Sequence, residues 1–221
     1  ISKGLVGSEM CIRDRIIMNK YITEFIGTFF LILIIGLTAN PIAIGLGLAV
    51  LIYMGAHISG AHYNPAVSLA MYINKKIDAV ELGKYVSSQL IASIAATYFI
   101  EQIGKDSFAV ISNTNNINHF FIAEILFTFL LVFVILNVAL SKNLSGNQFY
   151  GLAIGLTVTA GAFAVGDISG AVFNPAVSFG PSFFNIIDPE VVGNNISSID
   201  FFGYYLVTGI VGSIIAVSYT H

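Results

Sequence analysis

The chain has 221 residues, of which 56% are hydrophobic and only 10% are Asp, Glu, Lys or Arg. A soluble domain typically carries about 25% charged residues, so this composition excludes an ordinary water-facing surface and indicates a protein embedded in lipid. Nine basic and twelve acidic residues, for a net charge of −3, give no electrostatic footprint for nucleic acid. A single cysteine, Cys11, excludes an internal disulfide framework and a multi-cysteine metal site.

The first 17 residues are polar and precede the first apolar stretch. They contain no apolar region of the kind found in a secretory signal. We interpret residues 1–17 as a non-native or disordered extension and residues 18–221 as one domain.

Six apolar stretches follow, each about 20 residues long, which is the length that a membrane-spanning helix needs. The remaining residues are too few for a soluble domain. We therefore predict an all-α membrane protein with six transmembrane helices. The stretches lie at about 21–40, 41–59, 81–103, 119–140, 148–166 and 200–219.

Basic residues alternate between the loops. Positive residues favour the cytoplasmic side of a membrane, and this pattern predicts a multi-pass protein of the plasma or inner membrane with both termini in the cytoplasm. The intervening loops are poorer in basic residues. The loop after the third stretch contains Lys105 next to Asp106, and the loop after the fifth contains the acidic residues Asp188 and Glu190. The basic residues on the predicted cytoplasmic side are Arg13, Arg15, Lys20, Lys75, Lys76, Lys84 and Lys142.

The two halves of the chain repeat each other. Residues 59–68 read SGAHYNPAVS, and residues 169–178 read SGAVFNPAVS, so eight of ten positions are identical. The repeat halves are about 18–105 and 118–219. Each half has three spans, and an odd number makes the second half enter the membrane from the opposite side. This inverted repeat is a plan that places solute sites near the bilayer midplane.

Each repeat contains an Asn-Pro-Ala box that is suited to begin a helix. Asn is a favoured N-cap and Pro is favoured at the first helical position. The apolar run after each box is about ten residues, half the length of a spanning helix. We predict two re-entrant half-helices whose N-termini meet near the midplane. The boxes are Asn64, Pro65 and Ala66, and Asn174, Pro175 and Ala176.

The segments before the boxes are predicted to be extended and to line a pore. Irregular backbone survives at membrane depth only when it is buried in protein or lines a cavity. Carbonyl acceptors along the wall, with Asn donors and positive helix ends at the centre, suit a neutral hydroxylic solute and oppose cations. The predicted lining residues are Gly60, Ala61, His62, Gly170 and Val172.

Over residues 18–219 the chain resembles the aquaporin, or major intrinsic protein, family. The resemblance is carried by the two boxes, Ser59-Gly60, Gly180-Pro181 and the paired Glu24 and Glu124. It implies a six-helix bundle with two half-helices, one pore per subunit and assembly as a homotetramer. Asn64 and Asn174 are then the central donors of the pore.

The chain departs from the family at the narrow outer filter. The family normally has Arg directly after the second box, and this sequence has Val177. By spacing from the boxes, the other three filter positions are Ile44, Ala162 and Ala171. The resemblance therefore implies a wide, apolar filter and a permissive channel for water and small neutral solutes, such as glycerol, urea or ammonia.

Three acidic residues in this picture have two interpretations each. Glu24 and Glu124 could be ion sites, but their symmetry favours a role as acceptors that support the re-entrant loops. Asp167 could be a plain vestibule residue, or a negative charge that attracts cations where the Arg is missing.

His57 and His62 lack a third ligand, so we expect no metal site. The chain also shows no cofactor motif and no catalytic constellation.

Two other classes of membrane protein remain as alternatives. An ion-coupled secondary transporter also uses inverted repeats, but residues 26–73 and 169–186 contain no Asp, Glu, Lys or Arg. A non-conducting structural protein of the same fold would not need both Asn donors, and both are present. The passive channel is therefore the favoured prediction.

Overall fold

The computed structural model describes the backbone of residues 2–103, 116–187 and 198–220, and the side chains of residues 18–103, 116–187 and 202–220. This part of the chain is helical and contains no strand, which confirms the predicted all-α class. Its α-helices are α1 Ser2–Thr38, α2 Pro41–Ser59, α3 Pro65–Ile73, α4 Ala79–Gln102, α5 Ile117–Leu140, α6 Tyr150–Ser169, α7 Pro175–Ile187 and α8 Ser198–Thr220, with a short 3-10 turn at Lys142–Leu144.

Within the described residues, five helices are long and apolar enough to cross a membrane: α2, α5, α6, Met18–Thr38 of α1 and Phe202–Thr220 of α8. Helix α4 has 24 residues, which is about 36 Å of helix, but it is less apolar. Its polar side chains Gln89, Ser93 and Thr97 are completely buried. They face protein rather than lipid, and α4 is the sixth long helix of the bundle.

The observed helix ends differ slightly from the predicted ones. Helix α6 continues to Ser169 rather than residue 166. The second half-helix, α7, continues to Ile187 with Pro181 inside it, although an interior proline removes one intrahelical hydrogen bond and clashes with the carbonyl of the preceding turn. The interpretation of residues 1–17 stays a prediction, since their side chains lie outside the described part. Residues 104–115 and 188–197, with their charged residues, also lie outside it.

Local sequence determines where the helices begin and end. The Asn40 side chain accepts hydrogen bonds from Ile42 N and Ala43 N at the start of α2, so α1 and α2 are joined by a tight antiparallel link. Helices α2 and α6 end at glycines in the left-handed region, Gly60 (φ 88°) and Gly170 (φ 85°), as is common for helix C-termini.

The two halves interlock through their half-helices. Helix α3 belongs to the first half but packs against α8 of the second, and α7 packs against α4 of the first half. Helices α2 and α6 also pack against each other across the repeat axis. The inverted repeat therefore forms one bundle, in which each half-helix is held by the other half.

The α2–α6 crossing depends on two glycines. A Cβ atom at Gly155 would lie 2.2 Å from the carbonyl oxygen of Gly45, and one at Gly45 would lie 1.8 Å from Thr159 Oγ1. Neither distance is compatible with a side chain. The backbones approach closely because both positions are glycine, as in other membrane helix crossings.

We expect Gly155→Ala to destabilise the protein by about 1–3 kcal/mol, because the methyl group would overpack the crossing. Gly166→Ala on the same helix is the matched control, since a Cβ there would meet no atom within 4 Å. Apparent melting temperatures in detergent would compare the two variants. Equal melting temperatures for both variants would show that the crossing is not closely packed.

Candidate functional site

The two Asn-Pro-Ala boxes are joined by reciprocal hydrogen bonds. Asn64 Nδ2 donates to the carbonyl oxygen of Phe173 at 2.8 Å, and Asn174 Nδ2 donates to the carbonyl oxygen of Tyr63 at 2.9 Å. Each asparagine thus binds the backbone directly before the other asparagine. The N-termini of α3 and α7 are thereby fixed end to end inside the bundle.

The amide oxygen of each box asparagine caps the half-helix that follows it in the chain. Asn64 Oδ1 accepts from Ala66 N at 2.8 Å, and Asn174 Oδ1 accepts from Ala176 N at 3.0 Å. The intervening prolines have no N–H to satisfy. An asparagine amide has two hydrogens, and the cross-repeat bond uses one of them. Each Asn keeps a second hydrogen for another acceptor.

The loops before the boxes are non-helical, as predicted, but they are not extended throughout. Three residues in each loop adopt positive φ, because the chain leaves α2 and α6 through a left-handed cap and must turn sharply into the box. Non-glycine residues in this region cost of order 1–3 kcal/mol each, so the surrounding contacts must hold them. They are Gly60, Ala61 and Tyr63, with φ of 88°, 51° and 48°, and Gly170, Ala171 and Phe173, with φ of 85°, 51° and 48°.

Glu24 holds the first loop. Its Oε1 accepts from Ser59 Oγ at 2.6 Å and from His62 N at 2.9 Å. Its Oε2 accepts from Tyr63 N at 2.7 Å and from Gln89 Nε2 at 2.9 Å. The side chain is completely buried, and all four contacts come from donors. This pattern suits an ionised carboxylate, which only accepts.

Glu124 holds the second loop in the same way but with three donors. Its Oε1 accepts from Ser169 Oγ at 2.6 Å and Val172 N at 3.0 Å, and its Oε2 accepts from Phe173 N at 2.8 Å. The fourth donor is missing because the position equivalent to Gln89 in the second half is Gly209. These contacts are the ones that the loop-supporting interpretation of the two glutamates requires.

Two tyrosines and two serines complete the support, a role that was not predicted for them from the sequence. Each tyrosine hydroxyl donates to the last helical carbonyl before a loop, and each serine hydroxyl donates to the alanine carbonyl of the opposite box. The pairs share an offset of 120 residues, which is the signal that could have identified them. The bonds run from Tyr85 to Ser59, Tyr205 to Ser169, Ser93 to Ala176 and Ser213 to Ala66.

A cavity of about 900 Å³ runs between the two halves and past both box asparagines. Its lining extends from Lys20 on α1 to Ala39, the residue that follows the end of this helix. These 20 residues correspond to about 30 Å of helix, close to the roughly 30 Å of a bilayer's hydrocarbon core. The cavity is therefore as long as a membrane is thick.

The structure brings the predicted pore residues together along this cavity. The four residues predicted to form the filter, Ile44, Ala162, Ala171 and Val177, all line it, and so do the residues predicted to contribute backbone. The prolines and alanines of the boxes are buried behind the lining. The predicted backbone residues that line the cavity are Gly60, Ala61, His62, Gly170 and Val172.

Charged residues line the cavity only near its ends. At one end, which we term the Glu81 mouth, Lys20 Nζ lies 2.8 Å from Glu81 Oε1, and Lys76 is also part of the lining. At the other end, the Asp167 mouth, the lining includes Asp167, which is exposed. Between the two mouths, the described lining has no Asp, Glu, Lys or Arg.

The histidines do not cluster. His62 lies in the cavity wall, whereas His57 is exposed on α2. Among the described residues, no group of three His, Cys, Asp or Glu side chains could hold a metal ion.

A helical bundle with two interlocked half-helices around a membrane-length cavity defines a class of membrane channel fold. The sequence matches the family described as Major intrinsic protein over residues 12–219. The chain belongs to the major intrinsic protein family.

Several relatives agree with this assignment. Nodulin-26 from Glycine max is 36% identical over 184 residues, which cover 75% of this chain and 67% of that protein. Glycerol uptake facilitator protein-like 6 from Lactiplantibacillus plantarum is 36% identical over 188 residues, covering 76% and 84%. The X-ray structure of the aquaglyceroporin from Plasmodium falciparum superimposes with a TM-score of 0.79 at 24% identity, covering 92% and 95% of the two chains, and shows the same fold.

We expect Glu24→Gln to destabilise the protein by about 2–4 kcal/mol, because the new amide group would face two of the four donors and leave buried donors unsatisfied. Glu81→Gln is the control, since a partly exposed ion pair contributes about 0–1 kcal/mol. Thermal unfolding in detergent would measure both. If Glu24→Gln melts at the wild-type temperature, the loop does not depend on this carboxylate.

Proposed function

We propose that this protein is a passive transmembrane channel for water and small neutral solutes of the glycerol, urea and ammonia class, with an apolar outer filter and no enzymatic activity. The cavity is the permeation route, and Asn64 and Asn174 are its central donors. The solute moves down its own gradient, without coupling to an ion.

The observation that carries this proposal is the cavity that extends for a membrane thickness past the paired amides and whose described lining is uncharged between its two mouths. Each asparagine has one free amide hydrogen, and the two half-helix N-termini add positive partial charge at the same place. A neutral solute with acceptor oxygens can bind there, whereas a cation is opposed from both sides. The names of the relatives, which include a glycerol uptake facilitator, support the same solute class.

The filter residues define the expected selectivity. Ile44, Ala162, Ala171 and Val177 carry no side-chain donor or acceptor, so a solute passing them keeps only the hydrogen bonds offered by backbone or water. The small alanine side chains also leave space. We therefore expect solutes larger than water to pass, and the apolar filter to disfavour solutes that need a charged partner.

The exposed apolar surface supports insertion of the bundle in a bilayer. Large side chains point outward along α1, α2, α5 and α6, including Phe30, Val50, Leu126 and Leu156. We propose a multi-pass protein of the plasma or inner membrane with both termini, and hence the Glu81 mouth, on the cytoplasmic side. A homotetramer with one pore per subunit would cover part of this surface.

Stopped-flow light scattering on proteoliposomes tests the proposed function. Vesicles that contain the protein should equilibrate faster than protein-free vesicles under gradients of water, glycerol and urea. Fast water flux with glycerol and urea excluded would contradict the apolar filter. No flux above bare lipid for any of these solutes would contradict the channel itself.

We expect Val177→Arg to lower glycerol and urea permeability by at least about tenfold relative to water, because a guanidinium group would narrow the filter and add fixed donors and charge. Val177→Leu is the matched control: it adds volume without charge or donors. Permeabilities from the same vesicle preparations would be compared. Equal loss of glycerol flux in both variants would mean that size alone governs the filter.

We also expect Asp167→Asn to reduce cation and proton leak, because Asp167 is an exposed negative charge at a mouth that lacks the family's Arg. Asp167→Glu keeps the charge and should leave the leak unchanged. A pH-sensitive dye inside the vesicles would report the leak. If the leak is the same in all three proteins, Asp167 is an ordinary vestibule residue.

A further inference from the structure

A chain of hydrogen bonds connects the buried Glu24 to the wall of the cavity. Gln89 Nε2 donates to Glu24 Oε2 at 2.9 Å and to Ser68 Oγ at 3.0 Å. Ser68 Oγ in turn lies 3.1 Å from His62 Nδ1. The side chains of Glu24, Ser68 and Gln89 are completely buried, and His62 lines the cavity. We term these four residues the His62 relay.

The carboxylate determines how the Gln89 amide is oriented. Glu24 accepts from four donors, so only the NH₂ group of Gln89 can face it; the reversed amide would place two acceptor oxygens 2.9 Å apart. With the NH₂ group directed at both Glu24 and Ser68, Gln89 uses both of its hydrogens. Ser68 Oγ is therefore an acceptor in its contact with Gln89.

The hydroxyl hydrogen of Ser68 is then available for His62. A serine hydroxyl has one hydrogen, and the neighbour in line with it is His62 Nδ1. If Ser68 donates, Nδ1 is the unprotonated nitrogen, and a neutral imidazole then carries its hydrogen on Nε2. Among the described residues, Nε2 has no hydrogen-bond partner.

The ring is also held in place by its neighbours. Its centroid lies 4.7 Å from that of Tyr85. A Cβ at Gly60 would lie 3.2 Å from His62 Nε2, so the glycine at the end of α2 leaves this nitrogen unobstructed. Because Nδ1 is directed at Ser68 and the residue lines the cavity, Nε2 is the polar atom that a solute can reach.

We propose that Ser68 and Gln89 are positioning residues that hold His62 in the Nε2–H tautomer and so give the pore a third fixed donor beside Asn64 and Asn174. This inference rests on the proposed channel function and deepens it. The donor would bind acceptor oxygens of water, polyols or the urea carbonyl as they pass between the Glu81 mouth and the central asparagines.

The second half of the chain cannot form this relay. The position equivalent to His62 is Val172, and the position equivalent to Gln89 is Gly209. Ser178 is still present, but its hydroxyl donates to the carbonyl of Pro175 at 3.0 Å. The pore therefore has a donor on the side of the first loop and an apolar wall on the side of the second, despite the symmetry of its frame.

The tautomer can be measured directly by solid-state NMR of ¹⁵N-histidine-labelled protein in lipid bilayers, with the His62 signal assigned by its absence in His62→Gln. We expect a protonated Nε2 and an unprotonated Nδ1 in the wild type and in Ser68→Thr, which keeps the hydroxyl. Ser68→Ala should give a mixture of tautomers, and the matched control Ser178→Ala should not change the signal. A wild-type Nδ1–H tautomer, or an unchanged signal in Ser68→Ala, would overturn the proposal.

Permeability separates failure of the relay from failure of the channel. We expect Ser68→Ala to lower glycerol and urea flux on the order of fivefold, as for one neutral hydrogen bond, with Ser68→Thr and Ser178→Ala at the wild-type value. Equal flux in Ser68→Ala and the wild type would overturn the relay while leaving the channel intact. A wild type without any flux would overturn the channel, while the NMR spectra would still report the tautomer.

Discussion

The structure depends on the reciprocal hydrogen bonds between Asn64 and Asn174 and the backbone of the opposite loop. A half-helix that ends inside a membrane leaves unsatisfied N–H groups in a medium that cannot hydrate them. Here each asparagine caps its own half-helix with Oδ1 and holds the other repeat with Nδ2. The same two side chains therefore satisfy backbone groups at the half-helix ends, and each leaves one amide hydrogen in the cavity.

The frame around this pair is symmetric, and the cavity wall is not. Glutamates, tyrosines and serines from both halves hold the two loops with matching bonds, including matching positive φ values at residues that strain the backbone. The cavity wall differs between the halves: the position of His62 in the first half is Val172 in the second, and only the first half has the Gln89 donor. The symmetric contacts hold the two loops, and in the proposed channel the residues that differ between the halves would set which solutes the wall can bind.

Much of the fold could be predicted from the sequence because its signals are local or repeated. Apolar stretches of spanning length predicted the long helices, and the duplicated decapeptide predicted the inverted repeat and both half-helices. Helix α4, predicted as a span at about 81–103, is less apolar than the other five long helices, because its buried Gln89, Ser93 and Thr97 contact protein.

The candidate site was predictable in its residues more than in its geometry. Spacing from the boxes named four positions, Ile44, Ala162, Ala171 and Val177, that all line the cavity, and their role as a filter stays a prediction. The left-handed turns at Ala61 and Tyr63 were not predictable, because they depend on distant contacts to Glu24 that no local pattern shows. The link between Gln89 and His62 joins two helices and a loop through Ser68, so no local sequence pattern shows it.

The most direct test of the central claim is the activation energy of water permeation through proteoliposomes, obtained from the rate of vesicle shrinkage at several temperatures. A continuous aqueous path past Asn64 and Asn174 predicts a low activation energy, close to that of water diffusion in bulk. The double variant Asn64→Leu and Asn174→Leu, which removes both donors, should raise it toward the value of bare lipid. A wild-type activation energy equal to that of protein-free vesicles would contradict the account.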